Sequence, residues 1–144
     1  MRHKVLALLR SSYILALLIP LTGCAKSMET MVYSYLPNAA IYDVKVGDDY
    51  IAGEYGPYRQ EKGAGGGVVC CANVKPGPVT VSWKLDVRKT DPRYNRIYQA
   101  AATVPSIPSD AKYLAVHIYP DAKVVFEPSS VFVLDRNEDG SRGD

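Results

Sequence analysis

Reactive side chains are few in this 144-residue chain, and their spacing excludes most site chemistry. His117 is one of 2 histidines, the other being His3. A Ser-His-Asp arrangement would have to use His117. It stands inside an alternating run, opposite in parity to Leu114, Val116 and Ile118, with no nucleophile motif elsewhere. We expect it to be tied into a local hydrogen-bond pattern or exposed on a sheet, and we assign no catalytic residue. The protein is therefore read as a binding protein and not an enzyme. Without spaced cysteine pairs, zinc has no ligand set. The run Asp135-Arg136-Asn137-Glu138-Asp139-Gly140 spells the first half of an EF-hand loop, but the bidentate glutamate and flanking helices that calcium needs are missing. Gly65, Gly66 and Gly67 invite a phosphate cradle, yet β-type residues and two cysteines follow them where a Lys-Ser/Thr pair and a helix would be needed. No metal and no cofactor is expected.

Cys70 and Cys71 are adjacent. Neighbouring Cα atoms across a trans peptide stand about 3.8 Å apart, whereas relaxed disulfides prefer about 4.4–6.8 Å. On a regular strand the two side chains would also point to opposite faces. Two reduced, mostly buried thiols are the expectation, and a vicinal disulfide is the alternative.

Two loops carry residue types suited to recognition. One spans 53–62, with Tyr55, Tyr58 and Arg59. The other spans 88–98, with Arg93, Tyr94, Arg96 and Tyr98. Tyrosine and arginine are enriched at binding hot spots, and loops on a rigid scaffold commonly carry recognition. The competing reading is ordinary solvated loops whose tyrosines half cover the sheet edges.

The amino terminus is processing signal and not fold. Arg2, Lys4 and Arg10 form a positive n-region, and Tyr13 to Leu21 is an apolar run too short to span a bilayer, which takes about 20 residues. Leu21-Thr22-Gly23-Cys24 is a lipobox, which makes 1–23 a lipoprotein signal peptide and Cys24 the acylated residue. Stable anchoring follows from several acyl chains on one site. Residues 24–30 are then a lipidated tether, 31–134 the folded domain and 135–144 a flexible tail. The absence of aspartate after Cys24 favours the outer membrane, facing the periplasm, while Lys26-Ser27 resembles an inner-membrane retention signal. Cleavage removes three of the 17 Lys plus Arg and no acid, leaving 14 against 15 Asp plus Glu, a net charge of −1. That balance gives no electrostatic case for nucleic acid.

Period-two alternation and turn signals place these residues on strands. The clearest run is Val79 to Val87, where Val79, Val81, Trp83, Leu85 and Val87 share one face. Further strands are expected at 31–35, 41–46, 50–52, 68–74, 97–104, 113–119 and 123–126, with a last short one at 131–134. In 41–46, Tyr42, Val44 and Val46 are expected on one face. No helical periodicity occurs after residue 24. Short strands punctuated by Gly and Pro predict an all-β fold, a single antiparallel sandwich of immunoglobulin-like or transthyretin-like type.

Gly65-Gly66-Gly67-Val68-Val69-Cys70-Cys71, then Pro76-Gly77-Pro78-Val79-Thr80-Val81-Ser82-Trp83, then Val116-His117-Ile118-Tyr119-Pro120-Asp121 resemble the hallmark of a family of small bacterial lipoproteins with a domain of unknown function. The resemblance covers about residues 30 to 130. A tryptophan usual between the cysteine pair and the Pro-Gly turn is absent, as is an Asn-His pair near the end of the first strand. Such lipoproteins often accompany type VI secretion lipase effectors. The resemblance implies an immunity protein that binds a lipase effector and inhibits it, with Gly65, Gly66, Gly67, Cys70, Cys71, Trp83 and His117 as the structural motif. The alternative is a structural envelope lipoprotein of a secretion or cell-envelope complex.

Overall fold

A computed structural model describes residues 25–52, 56 and 68–133. The eight strands are β1 (Lys26–Ser34), β2 (Ala40–Val46), β3 (Asp49–Ala52), β4 (Val68–Val74), β5 (Gly77–Asp86), β6 (Ile97–Val104), β7 (Tyr113–Ile118) and β8 (Val124–Ser129). No helix occurs among the described residues. Two four-stranded sheets form, ordered β4-β1-β7-β8 and β3-β2-β5-β6, and their inner faces pack as a β-sandwich. The all-β expectation is met.

The core follows from the alternation. Val81, Trp83 and Leu85 on β5 meet Met28 and Val32 on β1, Leu114, Val116 and Ile118 on β7, and Phe126 on β8. Thr30, fully buried, places its single hydroxyl proton between Ile51 O at 3.2 Å and Val69 O at 3.1 Å, which ties β1 to the opposite sheet. Gly77, at φ 121°, starts β5 where the chain crosses between sheets, a backbone angle that side chains resist.

The structure corrects four expectations. First, the sandwich is not wholly antiparallel, because β1 and β7 run parallel, Glu29 opposite Tyr113 through Ser34 opposite Ile118. Both central strands are buried on both faces from Thr30 to Ser34 and from Leu114 to Ile118, the usual setting of a parallel pair. Second, β1 begins at Lys26, inside the expected tether. Its polar residues pair with β4, Lys26 opposite Val74 and Ser27 opposite Asn73, so backbone pairing holds a segment that few apolar side chains mark. Third, 131–133 is not a strand, and Val131 and Phe132 are exposed.

Fourth, β2 changes face part-way along. Tyr42 pairs with Lys84 and Lys45 with Ser82, so Asp43 and Val44 together oppose Trp83. Two residues against one is a β-bulge, with Asp43 at φ 52°. Ile41, Val44 and Val46 therefore point inward, and Tyr42 points outward with Asp43 and Lys84.

Candidate functional site

Cys24, Tyr55, Tyr58, Arg59, Gly65, Gly66, Gly67 and the tail 135–144 lie outside the described residues. The remaining candidates fall into three places.

The β5–β6 connection carries the first. Backbone bonds from Asp91 N to Arg88 O (2.8 Å), Tyr94 N to Asp91 O (2.9 Å) and Arg96 N to Arg93 O (3.1 Å) fold residues 88–96 into successive tight turns. Asp91 fixes them. Its Oδ1 accepts from Arg93 N at 2.8 Å and Arg93 Nε at 3.0 Å, while Oδ2 accepts from Arg93 Nη2 at 2.8 Å. A two-pronged guanidinium–carboxylate bond has one geometry, so the loop is shaped before any partner arrives. The side-chain bonds from Arg93, then its backbone N–H, hold the Asp91 carboxyl at about 2.

Tyr94 and Arg96 are exposed. Arg96 lies over the Tyr98 ring at 5.6 Å, and that ring stacks on Trp83 at 6.3 Å. Tyr98 is thus half-buried, a buttress between the arginine and the core and less a free contact residue than the sequence suggests. Tyr42 OH donates to Asn95 Oδ1 at 3.3 Å. Beside it, Lys84 bonds Asp43 at 2.8 Å and holds that carboxyl below its usual range, chiefly by the hydrogen bond. Sequence reasoning missed Tyr42 as a loop support, because the β2 bulge that turns it outward has no glycine to announce it.

The vicinal cysteines are the second place. Met28 pairs with Ala72 and Thr30 with Val69, so Cys70 and Cys71 together oppose Glu29. This is another bulge, on edge strand β4. The structure joins the two cysteines in a disulfide and leaves both exposed. The expectation of buried thiols is corrected. That expectation assumed a regular strand, whereas two residues sharing one bulge position are released from strict alternation. Cys71 walls an open groove of about 490 Å³ with Lys26, Glu29, Asp110 and Lys112. Lys26 Nζ is held there by Ser109 O at 2.6 Å. Two lysines and two carboxylates line it, so it favours neither sign of ligand.

His117 is the third. It lies on the outer face of its sheet, as its parity requires, yet is fully buried. Met31, Tyr33, Tyr35, Ala115, Tyr119 and Val133 form a second apolar cluster around it. Tyr35 OH and His117 Nδ1 are 2.9 Å apart, and Nε2 stands 3.5 Å from Glu127 Oε2. Tyr33 and Tyr35 stack on the imidazole at 5.3 and 5.9 Å, and Tyr119 stacks on Tyr35 at 4.6 Å. Tyr33 OH bonds Val133 O, which brings the chain after β8 back across this face. Of the two sequence expectations for His117, the hydrogen-bonded one holds. The arrangement holds the ring in place between Tyr33, Tyr35 and Glu127; with the imidazole fully buried, it offers no surface to a substrate. No group of His, Cys, Asp and Glu able to hold a metal occurs among the described residues.

No protein family, no curated protein and no solved structure matches the chain.

Proposed function

We propose that this protein is a lipid-anchored, periplasm-facing binding module that acts by holding a protein partner through the β5–β6 loop. The carrying observation is that loop: cationic and aromatic side chains on turns clamped by Asp91 and Arg93, buttressed by Tyr98 against the core. A loop shaped in advance loses little entropy on binding. The lipobox at Cys24 supports the anchor, and the resemblance to small envelope lipoproteins supports a lipase effector as partner, with inhibition by binding. The outer membrane is the proposed location. No catalytic step is assigned to the chain.

The test is co-purification of the processed domain with the product of the adjacent gene, together with survival of cells exposed to that product. Complex formation and protection support the reading. No complex, with secretion lost on deletion instead, replaces it with a structural envelope role. Labelling by a palmitate analogue that survives Cys24→Ala would overturn the anchor.

A further inference from the structure

We infer that strand β6 is a site of strand addition, where an extended segment of a partner protein pairs antiparallel with the edge turned away from β5 and places acidic residues against the β5–β6 loop. This rests on the binding-module reading above and names how that partner is held.

The four edge strands of the sandwich differ. Among the described residues strand β3 has only four. Strand β4 is interrupted by the cysteine bulge. Strand β8 contains Pro128, which has no N–H, and Glu127. Short length, bulges, prolines and charges are the devices by which edges resist pairing. Strand β6 has none of them. Its eight residues, Ile97 to Val104, are uncharged and free of proline. They pair with β5 in unbroken register from Gly77 opposite Val104 to Lys84 opposite Ile97. Among the described residues no hydrogen bond reaches β6 from any element but β5. An antiparallel strand bonded on one side leaves alternate N–H and C=O groups facing outward, and those groups want another strand.

The side chains agree. Gln99, Ala101 and Thr103 are exposed on the outer face and small or flexible, and Ile97 is 59% exposed, a single apolar anchor. Charge sets the direction. The loop entering β6 carries Arg88, Lys89, Arg93 and Arg96 against Asp91 alone, and Asp91 is already bonded to Arg93. A strand antiparallel to β6 ends beside Ile97, so residues that follow it meet this cationic loop. A segment of alternating character followed by carboxylates fits both features. A second copy of β6 fits the edge but brings no carboxylates, because the residues after Val104 begin Pro105-Ser106-Ile107-Pro108.

The experiment uses a short peptide of alternating threonine and valine that ends in two aspartates, with hydrogen exchange of the processed domain read by mass spectrometry. The expected result is slowed exchange across residues 97–104. Binding should fall about fivefold with Arg96→Glu, the scale of one exposed charge contact, and be lost when alternate peptide nitrogens are methylated. Ala101→Lys, an exposed change that leaves the core intact, should weaken binding as edge lysines do. Protection at β3, β4 or β8 instead, or binding indifferent to N-methylation, overturns the inference. So does slowed exchange at β6 that depends on protein concentration without peptide, which would make the occupant a second copy. The peptide assay contains no effector, so its failure leaves the binding-module reading standing. Failure of co-purification alone leaves the edge standing.

Discussion

Trp83 is the sharpest probe of how the core is held. It is 3% exposed, packs inside the sandwich and stacks on Tyr98, yet among the described residues its Nε1–H has no hydrogen-bond partner. Two opposing terms therefore act at one residue. Truncation to alanine removes a large buried ring and costs about 3–5 kcal/mol, about a fifth or more of the roughly 5–15 kcal/mol that holds a typical domain. Trp83→Phe also vacates space, at roughly 1–2 kcal/mol. It removes in addition a buried donor whose unpaired state costs about 1–3 kcal/mol, and a six-membered ring remains to stack on Tyr98. Trp83→Phe is thus expected within about 1 kcal/mol of the parent, and Trp83→Ala about 3 or more below it. At about 4–8 °C per kcal/mol for a domain of this size, the alanine variant melts at least about 12 °C lower and the phenylalanine variant within a few degrees. Urea denaturation followed by circular dichroism measures both, since the variants lose the chain's single tryptophan and its fluorescence. A phenylalanine variant as unstable as the alanine one would refute the unpaired-donor argument and show that the indole shape alone matters.

Thr30→Val keeps the shape of a fully buried residue but deletes the hydroxyl shared by Ile51 O and Val69 O; a loss of about 1–2 kcal/mol is expected in the same assay. Asp91, held down by the Arg93 bonds, should titrate at about 2 when followed by NMR, against 3.8 for a free carboxyl. Because the folded value is the lower, its contribution is complete above about 4 and is lost as pH falls through about 2. Loop amides 91–96 should accordingly keep their exchange protection at pH 3, and Asp91→Asn should lose it at neutral pH. Cys70 and Cys71 should take up no iodoacetamide until reduced and then one label each. Because the bond closes almost no chain, the loop-entropy account gives it little stability, and reduction should move the melting temperature by no more than a few degrees.

Legibility followed local regularity. The alternation of Val81, Trp83 and Leu85 read correctly because β5 is central, unbulged on its β6 side and half-buried, so period two survives into the fold. The parity of Leu114, Val116 and Ile118 also held. Sequence reasoning failed where the backbone leaves that period. The bulge at Asp43-Val44 turned Tyr42 outward, and the one at Cys70-Cys71 made an exposed bonded pair out of two expected core thiols. Composition misled at both ends of the domain. Lys26 to Thr30 read as polar tether because only Met28 is an apolar inward residue there, while Thr30 is accommodated by hydrogen bonds that no hydropathy pattern displays. Val131 to Leu134 read as a strand on β-branched and apolar content alone, and exposure of Val131 and Phe132 shows what that content lacks without a pairing neighbour. The Arg93–Tyr94–Arg96 loop was recognisable from residue type. The β6 edge that continues it was not, because an edge is defined by what the other strands do.

The early start of β1 also bears on geometry outside the domain. If Cys24 is acylated as proposed, Ala25 would be the one residue between lipid and sheet, and the domain would not swing on a leash. Strand β5 begins at the end of the sandwich where β1 begins and delivers residues 88–96 at the other. Ten residues at about 3.3 Å each put that loop about 30 Å from the end where β1 begins. A domain standing upright on its strands would hold it clear of the headgroups, at the height of proteins passing over the bilayer and not of the lipids within it.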